Sequence, residues 1–334
     1  MKALVYTGVG ELDYRDVADA EPNSDLSRVK VEAVGICGSD MHAYHGADPR
    51  RMPPLILGHE ACGIAETGRY AGQRVTVNPM TTCGRCRYCI EGRDNICPDR
   101  KLLSIPPNEG AFAEYLVIPD SNLVPVPDGV APEQAALAEP IACGWHAIRL
   151  GAERLSQPLA TARVVIIGGG AIGVGSALCA ADQGAKDIWI AEPSADRRKT
   201  ATAAGDFQTY DPRGGGPEES SADLIIDAYG SAASRADASR LAAPGGVIAH
   251  IGLAGGDAGL DTRKMTLQEI TFIGTYTYTM ADFHATAQAI FAGRMGDFNW
   301  IDRRPLSEGA QAFKDLDAAS VPAAKVVLIP AQES

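Results

Sequence analysis

Nothing in this chain supplies the stretches that a membrane or a nucleic acid would demand. No apolar run approaches the roughly 20 residues that span a bilayer. The opening residues, MKALVYTGVGELDY, have too short an apolar core and no cleavage pattern for a signal peptide. Basic residues are in deficit: 30 Lys and Arg stand against 42 Asp and Glu, a formal net charge of −12. A phosphate backbone or an acidic lipid face calls for clustered cations, so neither is an expected partner. Internal repeats and low-complexity tracts are also missing. What remains is a chain of 334 residues, more than one hydrophobic core usually supports, and two domains are expected. The lack of export signals predicts the cytoplasm, where disulfides are rare and clustered cysteines more often hold metal.

Cysteine is what the chain does have, eight in all, and half of them fall between positions 83 and 97. Cys83, Cys86, Cys89 and Cys97 follow a C-x2-C-x2-C-x7-C spacing in one polar, glycine-containing loop. Four thiolates that close in sequence match a closed tetrahedral zinc site, which stabilises a loop with too little apolar surface of its own. An iron–sulfur cluster also uses four cysteines, but the spacing fits neither common ferredoxin pattern. Two disulfides are disfavoured by the inferred compartment. With no vacant position, such a site is assigned no chemistry.

A second constellation lies in Gly35–Glu60, GICGSDMHAYHGADPRRMPPLILGHE. Cys37 and His59 are a thiol and an imidazole in turn-rich settings, and Glu60 follows the imidazole directly. Cys, His and a carboxylate are the ligands zinc takes when one position is left open. Taken singly, Cys37 reads as a small buried hydrophobe and His59 as a satisfied loop histidine; their combination favours metal. Glu139, in Glu139-Pro140 beside an alanine-rich segment, is an odd place for a charge. A cation nearby would relieve the cost of burying it, and exposure at a helix end is the alternative.

Up to about residue 126 the pattern is that of antiparallel strands, with Met1–Thr7, Arg28–Val34 and Arg74–Val77 as examples. At Ala162 the character changes. Arg163–Ile167 is a continuous β-branched run, as expected of a parallel strand buried on both faces. Gly168-Gly169-Gly170-Ala171-Ile172-Gly173 follows and opens a helix, and Glu192 stands about twenty positions on. A lone G-x-G-x-x-G is weak; after a strand, before a helix and with that acidic residue it is the full dinucleotide-binding context. Glu192 can accept hydrogen bonds from the ribose hydroxyls of NAD and would repel a 2′-phosphate, with Arg197 close enough to blunt that preference. NAD rather than NADP is expected. Further strands at 222–228, 245–252 and 270–276, alternating with helices, predict a doubly wound parallel sheet. Helices over 282–293 and 307–316 and a strand over Lys325–Ile329 end the chain.

With both cysteine clusters and the glycine fingerprint in hand, the chain resembles the zinc-dependent medium-chain dehydrogenase/reductases of the alcohol dehydrogenase superfamily, nearly end to end. The residues that carry the likeness are GICGSDMH (35–42), GHE (58–60), the four-cysteine loop, EP (139–140) and GGGAIG (168–173). The CGSD opening and the EP dipeptide are most similar to the polyol (sorbitol, xylitol, idonate) and threonine dehydrogenase branch. The resemblance implies an α/β chain with a GroES-like β-rich catalytic domain (1–140 and 277–334) and a Rossmann domain (141–276). It also implies two zinc ions per chain, a homodimer or homotetramer, and a small alcohol or ketone as substrate. Cys37 and His59 would ligate the catalytic zinc, with Glu60 or Glu139 as third protein ligand. Asp40 would take the free ring N–H of the histidine, Ser39 would contact the substrate oxygen, and His42 would relay the proton. Gly168, Gly170, Ile172, Gly173, Glu192 and Arg197 would hold the coenzyme.

Two departures matter. The turn after GHE is several residues short. Where sorbitol dehydrogenases carry an aromatic-Arg-Tyr triplet, this chain has Tyr276-Thr277-Tyr278, which puts a long polyhydroxylated substrate in doubt and predicts a more aromatic pocket. The expected reaction is reversible oxidation of a secondary alcohol to a ketone by hydride transfer. L-threonine 3-dehydrogenase and general alcohol dehydrogenase are the alternatives. A non-catalytic zinc- and nucleotide-binding protein is the rival of another class, and it would carry a degraded set of site residues.

Overall fold

The computed structural model describes residues 1–22 and 26–331. Strands Arg163–Ile167, Asp187–Ala191 and Ala222–Asp227 are apolar runs whose residues are mostly buried. Such runs need ladder partners on both sides and cover on both faces. They have both, in a six-stranded parallel sheet ordered Gln208–Tyr210, Asp187–Ala191, Arg163–Ile167, Ala222–Asp227, Ala242–His250, Thr271–Gly274. Val164 and Ile166 face a core shared with Ile141 and Ile148 of the Ala138–Ala152 helix and Val174 of the Ala171–Asp182 helix. The alternate residues Val165, Ile225 and Ile248 meet Ala238 and Leu241 on the other face. The sheet is doubly wound, as the alternation of strands and helices predicts.

The other large sheet is mainly antiparallel and has seven strands. Its Ser27–Gly35 strand alternates buried and half-buried residues and pairs along one side with Glu60–Ala65. Along its other side it pairs first with Tyr115–Ile118 and then, at Val34 and Gly35, with the C-terminal Lys325–Ile329 strand. The parallel sheet therefore lies in sequence between two portions of the β-rich one. The Ile301–Pro305 strand, between the two helices expected over 282–293 and 307–316, lies parallel to Lys325–Ile329 at the sheet margin. Cys37 is followed by the Gly38–Tyr44 helix rather than by turns. Among the described residues no helix is long and apolar enough to cross a membrane.

Candidate active site

The register of the β-rich sheet builds the floor of the site. Gly35 lies opposite Glu60 in the ladder, and a Cβ on residue 35 would overlap the Glu60 carboxylate. Only glycine there lets that side chain fold across the neighbouring strand. Cys37 then caps the Gly38–Tyr44 helix, and Asp40 Oδ2 accepts from the Cys37 backbone N–H at 2.9 Å. The other Asp40 oxygen accepts from Gly58 N–H at 3.2 Å, which draws the chain before His59 onto the helix.

The result is a compact donor set. One ligand atom each from Cys37, His59 and Glu60 lies within 4.8 Å of the others. His59 Nδ1 is buried without a hydrogen-bond partner, 3.5 Å from Asp40 Oδ1. Burial lowers the His59 pKa, but Asp40 and Cys37 outweigh it and hold it well above the ordinary value. Burial raises the Asp40 pKa, and His59 and Arg51 bring it below the usual carboxylate range. A soft thiolate, an imidazole and a carboxylate around one point, with His59 Nδ1 turned towards Asp40, suit a zinc ion with an open position.

Glu139, on the Ala138–Ala152 helix, is buried rather than exposed and stands outside that donor group. Burial pushes its carboxyl up to about 7, partly offset by His59. The buried Tyr278 hydroxyl donates to Glu139 Oε1 at 2.7 Å. Glu60 has a different partner: Lys325 Nζ reaches its two oxygens at 2.6 and 2.7 Å and also donates to Ile36 O at 2.9 Å. Burial opposes the Lys325 charge, and Glu60 and Cys37 more than compensate, leaving its pKa raised. Sequence reasoning missed Lys325. Its only signal was a lysine opening an otherwise apolar strand, 289 residues from its partner Ile36.

Ser39 is half-buried in the first turn of the helix, and its carbonyl accepts from Arg51 Nη1 at 3.3 Å. His42, three residues on and also half-buried, lies on the same helical face.

Cys37 also lines a cleft of about 610 Å³ that runs along Gly168–Gly173 to Glu192 and Arg197, with Ile172 in its wall. Gly168 has φ +110°, Gly170 caps the Ala171–Asp182 helix, and a Cβ on Gly173 would overlap the Gly168 carbonyl. The helix N-terminus thus opens into the cleft with no side chain in front of it, as a pyrophosphate requires. Glu192 Oε2 accepts from Gly169 N–H at 3.0 Å and Oε1 from Ser194 N–H at 2.8 Å. Arg197 Nε is buried without a partner beside this loop. A separate groove of about 720 Å³, between Arg15–Ala20 and Leu102–Gly110, carries none of these residues.

The four remaining site cysteines form their own group. Their sulfurs are 3.5 Å (Cys86–Cys89), 3.6 Å (Cys83–Cys97) and 4.0 Å (Cys83–Cys89) apart. Zinc–sulfur bonds of about 2.3 Å set tetrahedral edges of about 3.8 Å, so the set suits zinc as it stands. N–H groups of Arg85 and Cys86 bring the Cys83 thiol down to about 7, while burial and Cys86 push Cys89 up to about 12.

Comparisons with known proteins identify the family of the two domains. Residues 23–128 match the alcohol dehydrogenase GroES-like domain and residues 171–292 the zinc-binding dehydrogenase domain. L-galactonate-5-dehydrogenase of Escherichia coli strain K12 is 30% identical over 332 residues, covering 94% of each chain. A zinc-binding dehydrogenase of Sinorhizobium meliloti 1021, solved bound to NADP, superposes with TM-score 0.85 at 31% identity, over 98% of this chain and 99% of that one. L-idonate 5-dehydrogenase from Escherichia coli K-12 does so with TM-score 0.89 at 26% identity, over 98% and 97%. With a GroES-like sheet, a parallel nucleotide sheet and a Cys–His–Glu donor set between them, the chain belongs to the zinc-binding alcohol dehydrogenase family, NAD(P)-dependent oxidoreductases acting on CH–OH groups.

Proposed function

We propose that this chain oxidises a secondary alcohol within a small polyhydroxylated substrate to a ketone, reversibly, with NAD as coenzyme. The observation that carries the reading is the Cys37–His59–Glu60 group, within 4.8 Å and opening on the cleft of the glycine loop. Relatives named for galactonate and idonate support the substrate class.

Cys37, His59 and Glu60 would hold the catalytic zinc, with Asp40 fixing the His59 ring and Lys325 balancing the Glu60 charge. Glu139 is the neighbouring carboxylate that Tyr278 holds in place. When bound, zinc supplies a Lewis acid at the substrate oxygen and the nicotinamide accepts the hydride. Ser39 Oγ takes the proton of the alcohol and His42, one turn further, carries it towards solvent. Gly168, Gly170, Ile172 and Gly173 admit the pyrophosphate, and Glu192 favours a free 2′-hydroxyl over a phosphate, with Arg197 at the adenosine end. Cys83, Cys86, Cys89 and Cys97 hold a structural zinc.

The division into a catalytic portion (1–140 and 277–334) and a nucleotide portion (141–276) is supported by the return of Lys325–Ile329 to the first sheet. The Met280–Phe291 helix, by contrast, packs on Ala138–Ala152. A homodimer or homotetramer is supported by the Thr271–Gly274 edge strand, paired on one side with Phe272 exposed. Eight unpaired cysteines support the cytoplasm.

The test is a panel of secondary alcohols with both coenzymes, read by reduced-coenzyme absorbance, beside metal content by mass spectrometry. Two zincs per chain and faster turnover with NAD are expected. Zinc-loaded protein that reduces neither coenzyme with any alcohol, L-threonine included, would sink the proposal and favour a non-catalytic role, and activity with L-threonine alone would favour the threonine dehydrogenase alternative.

A further inference from the structure

Two helices bear the Tyr278–Glu139 hydrogen bond at their first turns. Glu139 lies in the first turn of the Ala138–Ala152 helix, and Tyr278 directly precedes Thr279, the N-cap of the Met280–Phe291 helix. Residues seven apart share a helix face, about 10 Å from each other along the axis. On the face of Glu139, two turns further on, lies the buried His146.

Asp282, in the first turn of the second helix and also buried, receives it. Asp282 closes a capping box with Thr279, accepting from Thr279 N–H at 3.2 Å and from Thr279 Oγ1 at 2.7 Å. A capping box asks no more of its acid. Asp282 nevertheless takes three further donors, all from the other helix: His146 Nδ1 at 2.7 Å, Arg149 Nε at 2.7 Å and Arg149 Nη2 at 3.0 Å. Buried ion pairs add little stability over apolar packing of the same volume. What this one adds is geometry, because donors from two helices meet on one carboxylate in a single register.

That register acts at the metal end of the helices. Glu139 stands outside the Cys37–His59–Glu60 group, although a carboxylate is a ligand that zinc accepts. The buried Tyr278 hydroxyl engages Glu139 Oε1 at 2.7 Å. Thr277, just before it, is held at φ +46°, which a β-branched residue avoids. The Tyr278 ring is instead anchored from the helix side, stacked on Phe283 at 5.6 Å between centroids.

We propose that His146, Arg149 and Asp282 form a clamp that sets the two helices in register, so that Tyr278 keeps Glu139 off the catalytic metal and leaves its open position to substrate. The three are positioning residues, acting through Tyr278. The proposal rests on the dehydrogenase reading of the same site and specifies what keeps that position free.

His146→Leu removes one donor and leaves Asp282 the others, and His146→Asn returns an amide N–H near the place of Nδ1. Both are compared with Tyr278→Phe and with the double variant His146→Leu/Tyr278→Phe. Zinc-loaded proteins serve for kinetics, and proteins with cobalt(II) in the catalytic site for visible spectra. His146→Leu and Tyr278→Phe should each lower kcat about tenfold while KM for NAD holds, and His146→Asn should recover most of the loss. The double variant should be no slower than Tyr278→Phe alone, because one interaction is lost either way. Both single variants should shift the cobalt bands in the same direction, as a gained carboxylate ligand would. A merely structural role predicts losses that multiply in the double variant and cobalt bands that His146→Leu leaves in place; either result overturns the clamp. Should His146→Leu fail to fold, Arg149→Met, at a side chain 36% exposed, replaces it in the same cycle. If no alcohol reduces either coenzyme, the dehydrogenase reading fails and the spectra alone decide. Bands shifted alike in His146→Leu and Tyr278→Phe then uphold the clamp, and bands unmoved by His146→Leu overturn it.

Discussion

The two donor clusters solve opposite problems. In the loop of Cys83, Cys86, Cys89 and Cys97, three of the four cysteines are partly exposed, and all four come from fifteen consecutive residues. In the other, His59 and Glu60 are buried, and the charges that balance them, Asp40 and Lys325, arrive from a helix and from the far end of the chain. The loop gains its structure from whatever binds the sulfurs. The buried site is held by charge compensation already present in the protein, and its fourth side is left to the cleft. A closed site and an open one thus differ in who neutralises the ligands.

The sharpest way to break that comparison is Cys37→Ser. Loss of one donor from a three-donor set should remove the metal and with it several kcal/mol of stabilisation at the reacting oxygen. We expect kcat/KM to fall at least about a thousandfold, at 1.4 kcal/mol per factor of ten. Zinc content should drop from two to one per chain, and coenzyme affinity by fluorescence titration should stay within about threefold. A zinc-deficient variant with retained activity would show that the buried cluster is not the reacting centre.

Lys325→Met tests the compensation itself. It leaves the Glu60 carboxylate, 0% exposed, without its cation, a loss of about 3–5 kcal/mol when one partner of a buried pair is removed. Denaturation of metal-free protein should show that loss, and zinc-loaded protein a smaller one because the metal then faces the same carboxylate. Equal losses in both forms would mean that Lys325 and the metal do not share Glu60.

The difference between the clusters also explains what could be read from the sequence. Cys83–Cys97 is legible because its ligands are local and their spacing carries the geometry. The parallel strand at 163–167 is legible because burial on both faces demands an unbroken apolar run. Gly38-Ser39-Asp40 conceals a helix, since those residue types open helices and turns alike. The Ile301–Pro305 strand, IDRRP, escapes because a charged strand at a sheet margin has no apolar alternation to show. Lys325 was out of reach because its partner Glu60 lies 265 residues away along the chain, and sequence pattern reports only on neighbours.

A smaller effect separates the shell around the open site from the site itself. Arg50 hydrogen bonds lower the Asp48 pKa to about 2 against the cost of burial, below the unfolded value of about 3.9. A depressed folded pKa adds stability that is fully present above the unfolded pKa and lost as pH falls towards 2. Because Arg50 is 58% exposed, the share is discounted to on the order of 1–2 kcal/mol. Asp48→Asn should therefore be less stable than the parent at pH 6, and the gap should narrow by pH 3. A gap that is constant with pH would assign the loss to packing.

Least of all should be the cost of cutting one link between the cysteine loop and the segment that carries Tyr278. On the C-terminal side of the loop Asn95 Nδ2 donates to Tyr276 O at 2.8 Å and Asp94 accepts from Met280 N–H at 3.1 Å. Between these anchors Thr277 is held at φ +46°, a left-handed conformation a β-branched residue avoids. Something must hold it there, and Asn95 is placed to do so. Asn95→Ala removes a hydrogen bond worth about 1 kcal/mol, so KM for the alcohol should rise about fivefold while kcat and the two-zinc content stay put. Should kcat fall instead, with KM unchanged, the cysteine loop would be acting on the reacting centre directly, and the separation of a closed structural site from an open chemical one would not hold.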